Sequence, residues 1–158
     1  MQGDRKAIAH LNKALFNALT AINQFFLHAR MFGNWGLEEL DERDYKESIR
    51  QMRQADRLIG RILFLEGTPD MRAEAFEPGR DVEEMLEKDL ATEYAVRAHL
   101  AEGIALCERH GDYVTRDLLL AQLKDTEEDH AYWLEKQLRL IRSLGLALYQ
   151  QSKLGGDA

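Results

Sequence analysis

Proline occurs only twice in this chain of 158 residues, at Pro69 and Pro78. A proline inside a helix removes a hydrogen bond and clashes with the preceding turn, so its absence elsewhere leaves two long stretches free to run as helices. Those stretches are rich in Leu, Ala, Glu, Lys, Arg and Gln, which favour helix, and the fold they predict is all-α.

Local signals divide the stretches into four long helices. The first starts after Asp4, a good N-cap, and ends at Gly33-Asn34-Trp35-Gly36, where left-handed backbone is easy. The second runs from about Leu37 to Glu66, stopped by Gly67-Thr68-Pro69. Residues 67 to 80 form a connection that holds both prolines. It is long for neighbouring antiparallel helices and suits a crossover along the length of a bundle. Asp81, followed three positions later by Glu84, opens a third helix that ends at His110-Gly111. A fourth begins near Asp112 or Tyr113 and runs to about Ser143. Leu146 to Lys153 can add one short helix, and Gly155 to Ala158 should fray. Helices of roughly thirty residues span about 45 Å each. Four of them with one long crossover predict a ferritin-like four-helix bundle with a short fifth C-terminal helix, in a single domain over residues 1–158.

The chemistry lies where apolar stripes are interrupted. Leu120, Leu123, Leu134, Leu138 and Ile141 recur at helical spacing, and the middle rungs of that row are Glu127 and His130. The third helix carries Leu86, Leu90, Glu93, Leu100 and Ile104, again with a carboxylate in mid-stripe. Burying an ionised carboxylate costs several kcal/mol or more unless a charge, a hydrogen-bond network or a metal compensates. A lone Glu on such a row is usually an edge residue reaching water. Two rows with mid-stripe acids, one with His three residues on, point instead to a metal site made by Glu93, Glu127 and His130. A complete di-iron centre takes a Glu from each of two helices and a Glu-x-x-His from each of the other two. Here the first helix offers Ala18 and the second offers Gln51 and Gln54, so three of six ligands are absent.

Other residues read more plainly. The net charge of −7 argues against nucleic-acid or anionic-membrane surfaces and is compatible with metal cations. Cys107 is the only cysteine, which suits a reducing, cytoplasmic setting, and no segment reads as an export signal or membrane span. His28 reads as a hydrogen-bonded interface group. His10, His99 and His110 have no partner at ligand spacing. Glu38, Glu39, Asp41, Glu42 and Asp44 read as acids that favour a helix start through its dipole.

Three segments, residues 21–31, 61–67 and 112–117, together with Glu127-Glu128-Asp129-His130 and Trp133-Leu134-Glu135, make the chain resemble the bacterioferritins from Met1 to about Gln151. That resemblance implies a hollow shell of twenty-four subunits storing ferric mineral, with haem b held between pairs of subunits by a methionine from each. Carried over by position, the haem methionine falls on Met52. Three ferroxidase ligands fall on Glu93, Glu127 and His130, and the other three on Ala18, Gln51 and Gln54. Acidic and imidazole positions facing the cavity in many members become Lys46 and Arg50, and a nearby tyrosine becomes Phe25.

The second helix has a further apolar row, Tyr45, Ile49, Met52, Ile59 and Leu63, turned away from the bundle. An isologous dimer would bring Met52 towards its copy, giving two thioethers for one haem iron. Arg30 and Arg53 would then be candidates for the propionates. The expected function is an iron-storage subunit that binds haem and co-assembles with a ferroxidase-competent subunit. The alternatives are a self-sufficient ferroxidase with an atypical centre, and a shell protein without redox chemistry of its own.

Overall fold

The computed structural model describes residues 1–155. Its elements are α1 (Arg5–Asn34), α2 (Glu38–Phe64), α3 (Val82–His110), α4 (Tyr113–Lys124), a π-helical segment Asp125–Ala131, α5 (Tyr132–Leu144) and α6 (Leu146–Ser152). α4, the π segment and α5 are continuous and make the fourth long helix, so the expected bundle with a short final helix is what forms. Among the described residues there is no strand. No helix among them is long and apolar enough to cross a membrane. The fraying expected at the C-terminus falls mainly on residues 156–158, outside those described.

Helix ends follow the local chemistry. Asp4 accepts from the backbone N–H of Lys6 and Ala7, and Asp81 accepts from that of Glu84. Gly111 closes α3 in left-handed backbone, with φ of 69°. α2 ends at Phe64, about two residues before the expected Glu66. There Glu66, not Gly67, takes the positive φ. Gly67 is needed for closeness: a Cβ on it would lie 2.8 Å from Ile8 and 3.1 Å from Ile62.

The crossover is stitched along α1. Asn12 accepts from the Asp70 N–H and donates to the Thr68 carbonyl, Thr20 accepts from the Glu74 N–H, and His28 Nε2 accepts from the Gly79 N–H at 3.1 Å. Those three anchors are each eight residues apart on α1, about 12 Å per step. The connection therefore runs parallel to α1 and sets α3 beside it, while α1 pairs with α2 and α3 with the fourth long helix.

The interior divides into two apolar blocks. One joins Leu11, Leu15, Leu58, Ile62, Leu100 and Leu119. The other joins Phe32, Leu40, Met85, Leu86, Leu134 and Tyr149, the last delivered by α6 and donating to Gln137 at 2.8 Å. Between the blocks lies a buried polar layer that includes His28, Asp44, Glu47, Gln51, Asp89, Glu93 and His130.

Candidate metal centre

The polar layer is built by four helices that place a polar side chain on the inward row at the same level. On α2 that row is Leu40, Asp44, Glu47, Gln51, Gln54, Leu58 and Ile62, all buried. On α3 it is Leu86, Asp89, Glu93, Val96 and Leu100. The fourth helix contributes Thr115, Leu119, Gln122, Thr126, His130, Leu134 and Ile141.

This last row is not the stripe expected from sequence. Leu120 is 48% exposed, and Thr126 rather than Glu127 points inward. The π turn is the cause: its extra residue changes the helical phase, so a row continued at 3.6 residues through it lands on the wrong side chains. Of the three expected ligands, Glu93 and His130 come together. Glu127 turns outward, its side chain 39% exposed and its carboxylate accepting from Arg97 Nε at 2.6 Å.

A carboxylate not picked out by the sequence stands beside the pair instead. His130 Nδ1 lies 3.7 Å from Glu93 Oε2 and 3.8 Å from Glu47 Oε1. One donor atom each from Glu47, Glu93 and His130 falls within 4.8 Å of the others, and all three residues are buried. Separations of 3.7–3.8 Å are too long for hydrogen bonds. They suit atoms that share a cation, since ligand bonds of about 2.0–2.2 Å place neighbouring donors roughly 3–4 Å apart. Both Glu93 oxygens and both His130 nitrogens have no hydrogen-bond partner among the described residues. The sequence signal for Glu47 was its place three and four residues before Arg50 and Gln51.

Burial alone would lower the His130 pKa, but the Glu47 carboxylate, with Asp44 and Glu93, outweighs it and raises the pKa to about 10. Burial also pushes Glu93 up. The net negative pocket thus holds a proton, or a metal in its place. Arg50 adds a third cationic choice, since its guanidinium donates to Glu47 Oε2 and Asp129 Oδ2, both at 2.6 Å. Arg43 donates to the other Asp129 oxygen at 2.8 Å.

Ala18 is buried and offers no donor atom. Gln51 donates to Glu47 Oε1 at 3.3 Å, and Gln54 to Asp125 Oδ2 at 3.3 Å. Phe25 packs edge-on to the His130 ring at 5.0 Å.

Two residues sit otherwise than the sequence suggests. Asp44 is no exposed helix-start acid; it is wholly buried, because α2 continues its core row down to Leu40. His28 is also interior, its Nδ1 2.8 Å from Asp89 Oδ1. Burial lowers its pKa to about 4. His10 and His99, far apart in sequence, stack at 4.8 Å because α1 and α3 pack together.

On the outer side of α2, Met52 is 53% exposed, in a row with Tyr45 and Leu63 and beside Phe26, all exposed. Arg30 lies over both the Tyr45 and Phe26 rings, at 4.9 and 5.3 Å. This apolar face is independent of the bundle core.

Residues 8–144 match the ferritin-like domain family. Over 154 residues the chain is 54% identical to the bacterial ferritin of Pseudomonas aeruginosa, covering 98% of this chain and all of that one. It is 50% identical to the bacterial ferritin of a Synechocystis species, covering 98% and 99%. With the bacterioferritin of Brucella melitensis it shares 42% identity over 96% of this chain and 94% of the relative.

Proposed function

Because this chain belongs to the bacterioferritin branch of the ferritins, whose work is iron storage in multisubunit shells, we propose that it is a haem-binding subunit whose iron oxidation depends on a co-assembled catalytic subunit. The observation that carries this reading is the ligand set: Ala18, Gln51 and Gln54 stand where a di-iron centre needs a Glu, a Glu and a His. Glu47, Glu93 and His130 can hold one substrate iron. Glu127 can join them only by leaving Arg97. Reducing oxygen to peroxide takes two electrons, and one Fe²⁺ supplies one, so turnover at this pocket alone is slow. In a shell of twenty-four subunits, neighbours with complete centres would supply the oxidation while this subunit adds cavity and haem.

Haem fits the outer face of α2. Met52 presents an exposed thioether among apolar side chains, and a two-fold axis there would offer a second sulfur from the partner subunit. Arg30 and Arg53 carry the charge that propionates need. When bound, haem supplies one-electron transfer; Met52 ligates it, and Tyr45, Phe26 and Leu63 exclude water around it.

One observation favours a second reading. Glu47 adds a carboxylate from outside the six di-iron positions, so an atypical centre of Glu47, Glu93 and His130 could serve a self-sufficient ferroxidase.

The test restores Ala18→Glu, Gln51→Glu and Gln54→His together and compares initial Fe²⁺ oxidation with the parent homopolymer, free of any second chain type. The proposal expects the triple variant to be faster by at least tenfold. Equal rates, with two irons oxidised per parent subunit, would establish the atypical ferroxidase instead.

A further inference from the structure

The ring of His130 has two faces of chemistry, and the Nε2 side is occupied by different acids. Asp44 Oδ1 lies 3.9 Å from His130 Nε2, again beyond hydrogen-bond reach, and both residues are fully buried. One donor atom each from His28, Asp44 and Asp89 falls within 4.8 Å of the others. Both Asp44 oxygens and Asp89 Oδ2 have no hydrogen-bond partner among the described residues.

The hydrogen bonds at this end sort ligands from supports. His28 Nε2 accepts from the Gly79 N–H at 3.1 Å, so the ring proton sits on Nδ1 and is donated to Asp89 Oδ1 at 2.8 Å. With both nitrogens engaged, His28 is a positioning residue. Gln24 Nε2 donates to the same Asp89 oxygen at 3.0 Å, and Gln24 itself accepts from Thr92. Asp89 is thereby fixed through Oδ1, leaving Oδ2 free. An orienting shell around a carboxylate whose other oxygen is unsatisfied is how metal ligands are held.

Charge supports the same conclusion. Asp44, Glu47, Asp89 and Glu93 surround one imidazole. Arg50 bonds only Glu47 among them, and no lysine or arginine reaches Asp44 or Asp89 among the described residues.

We propose that the polar layer holds a second divalent-cation site on the Nε2 side of His130, with Asp44, Asp89 Oδ2 and His130 Nε2 as ligands and His28 and Gln24 as the groups that orient Asp89. The mixed oxygen and imidazole donors suit a first-row divalent ion such as Fe²⁺, Co²⁺ or Zn²⁺. His130 then bridges the two sites. With a cation on each nitrogen the ring carries no proton, so filling the second side releases the ring proton to solvent. The inference shares His130 with the proposed Glu47 and Glu93 site but stands on separate carboxylates. It also places a cation in the bundle that owes nothing to Ala18, Gln51 or Gln54.

The probe is Zn²⁺, soaked into crystals of the mineral-free, chelator-stripped assembly and located by anomalous scattering at the zinc edge. The parent should show a peak on each side of the His130 ring. Asp44→Asn, nearly isosteric, should lose the Nε2-side peak and keep the other; Glu47→Gln should do the reverse. Co²⁺ titration of the same proteins should show one equivalent per chain fewer in Asp44→Asn. A parent without the Nε2-side peak overturns the proposal, as does a peak there that survives Asp44→Asn. Loss of the Nδ1-side peak alone would sink the Glu47 site and leave this one standing. The parent crystals decide the matter even if a variant fails to fold.

Discussion

Replacing Arg50 with Gln should tighten metal binding at Glu47 while weakening the fold. The guanidinium sits 2.6 Å from Glu47 Oε2, and Glu47 Oε1 faces His130 from 3.8 Å. A divalent ion between Glu47 and His130 would therefore lie about 6 Å from the Arg50 charge. The repulsion between +2 and +1 at that distance is about 2 × 332/(6ε) kcal/mol. Arg50 also borders a cleft of about 410 Å³ lined by Arg43, Lys46 and Arg53, and its side chain is a quarter exposed. That exposure argues for a high effective ε of roughly 40–80, which gives ~1.4 to ~3 kcal/mol, or about 10- to 100-fold in Kd. Removing the same charge strips buried Glu47 of its counter-ion. For a fully buried pair this costs about 3–5 kcal/mol, and the partial exposure here reduces it to roughly 1–2. The assay is competition calorimetry with Zn²⁺ against a chelator, alongside urea unfolding in excess EDTA. Arg50→Lys, which keeps the charge, should stay near the parent in Kd. A Kd for Arg50→Gln equal to or weaker than the parent's, in a folded assembly, would show that Arg50 orients Glu47 rather than competing with the metal.

Other perturbations follow from the same geometry. Met52→Leu keeps volume and removes sulfur, so reconstituted haem should fall to background while the shell persists by sedimentation; full haem occupancy would reject the ligand assignment. His130 has a pKa raised from 6.5 to about 10, so the stability it contributes is complete below pH 6.5 and lost as pH rises through about 10. Urea stability in EDTA should accordingly fall between pH 7 and 10 by up to about 1.4 kcal/mol per unit more steeply in the parent than in His130→Gln. Parallel slopes would refute the charged, carboxylate-paired His130. Cys107 is wholly buried and its thiol is pushed up to about 11 by burial, so Ellman's reagent at pH 8 should find no thiol in the native assembly and one per chain after unfolding.

The sequence by itself determined the helices, because their makers and breakers act over a few residues: Asp4 and Asp81 cap where they stand, and Gly111 turns the chain where it stands. It also determined that charge would be buried, since Glu93 and His130 interrupt apolar rows. Ala18, Gln51 and Gln54 lie on the inward faces that the same rows define, and all three are buried. What only the tertiary structure decided is which acids meet. Phase along a helix holds only while the helix is regular, and the π turn at Asp125–Ala131 moved Glu127 out to Arg97 and Thr126 in. Asp44 reads as an ordinary charge in an acid-rich helix start, and Glu47 is not singled out, until α3 and the fourth helix pack over them. His28 and Asp89 lie sixty-one residues apart and are joined by the way the crossover, anchored at Asn12, Thr20 and His28, lays α3 beside α1. A buried ionisable group is defined by what surrounds it, and those surroundings come from three other helices that local spacing does not encode.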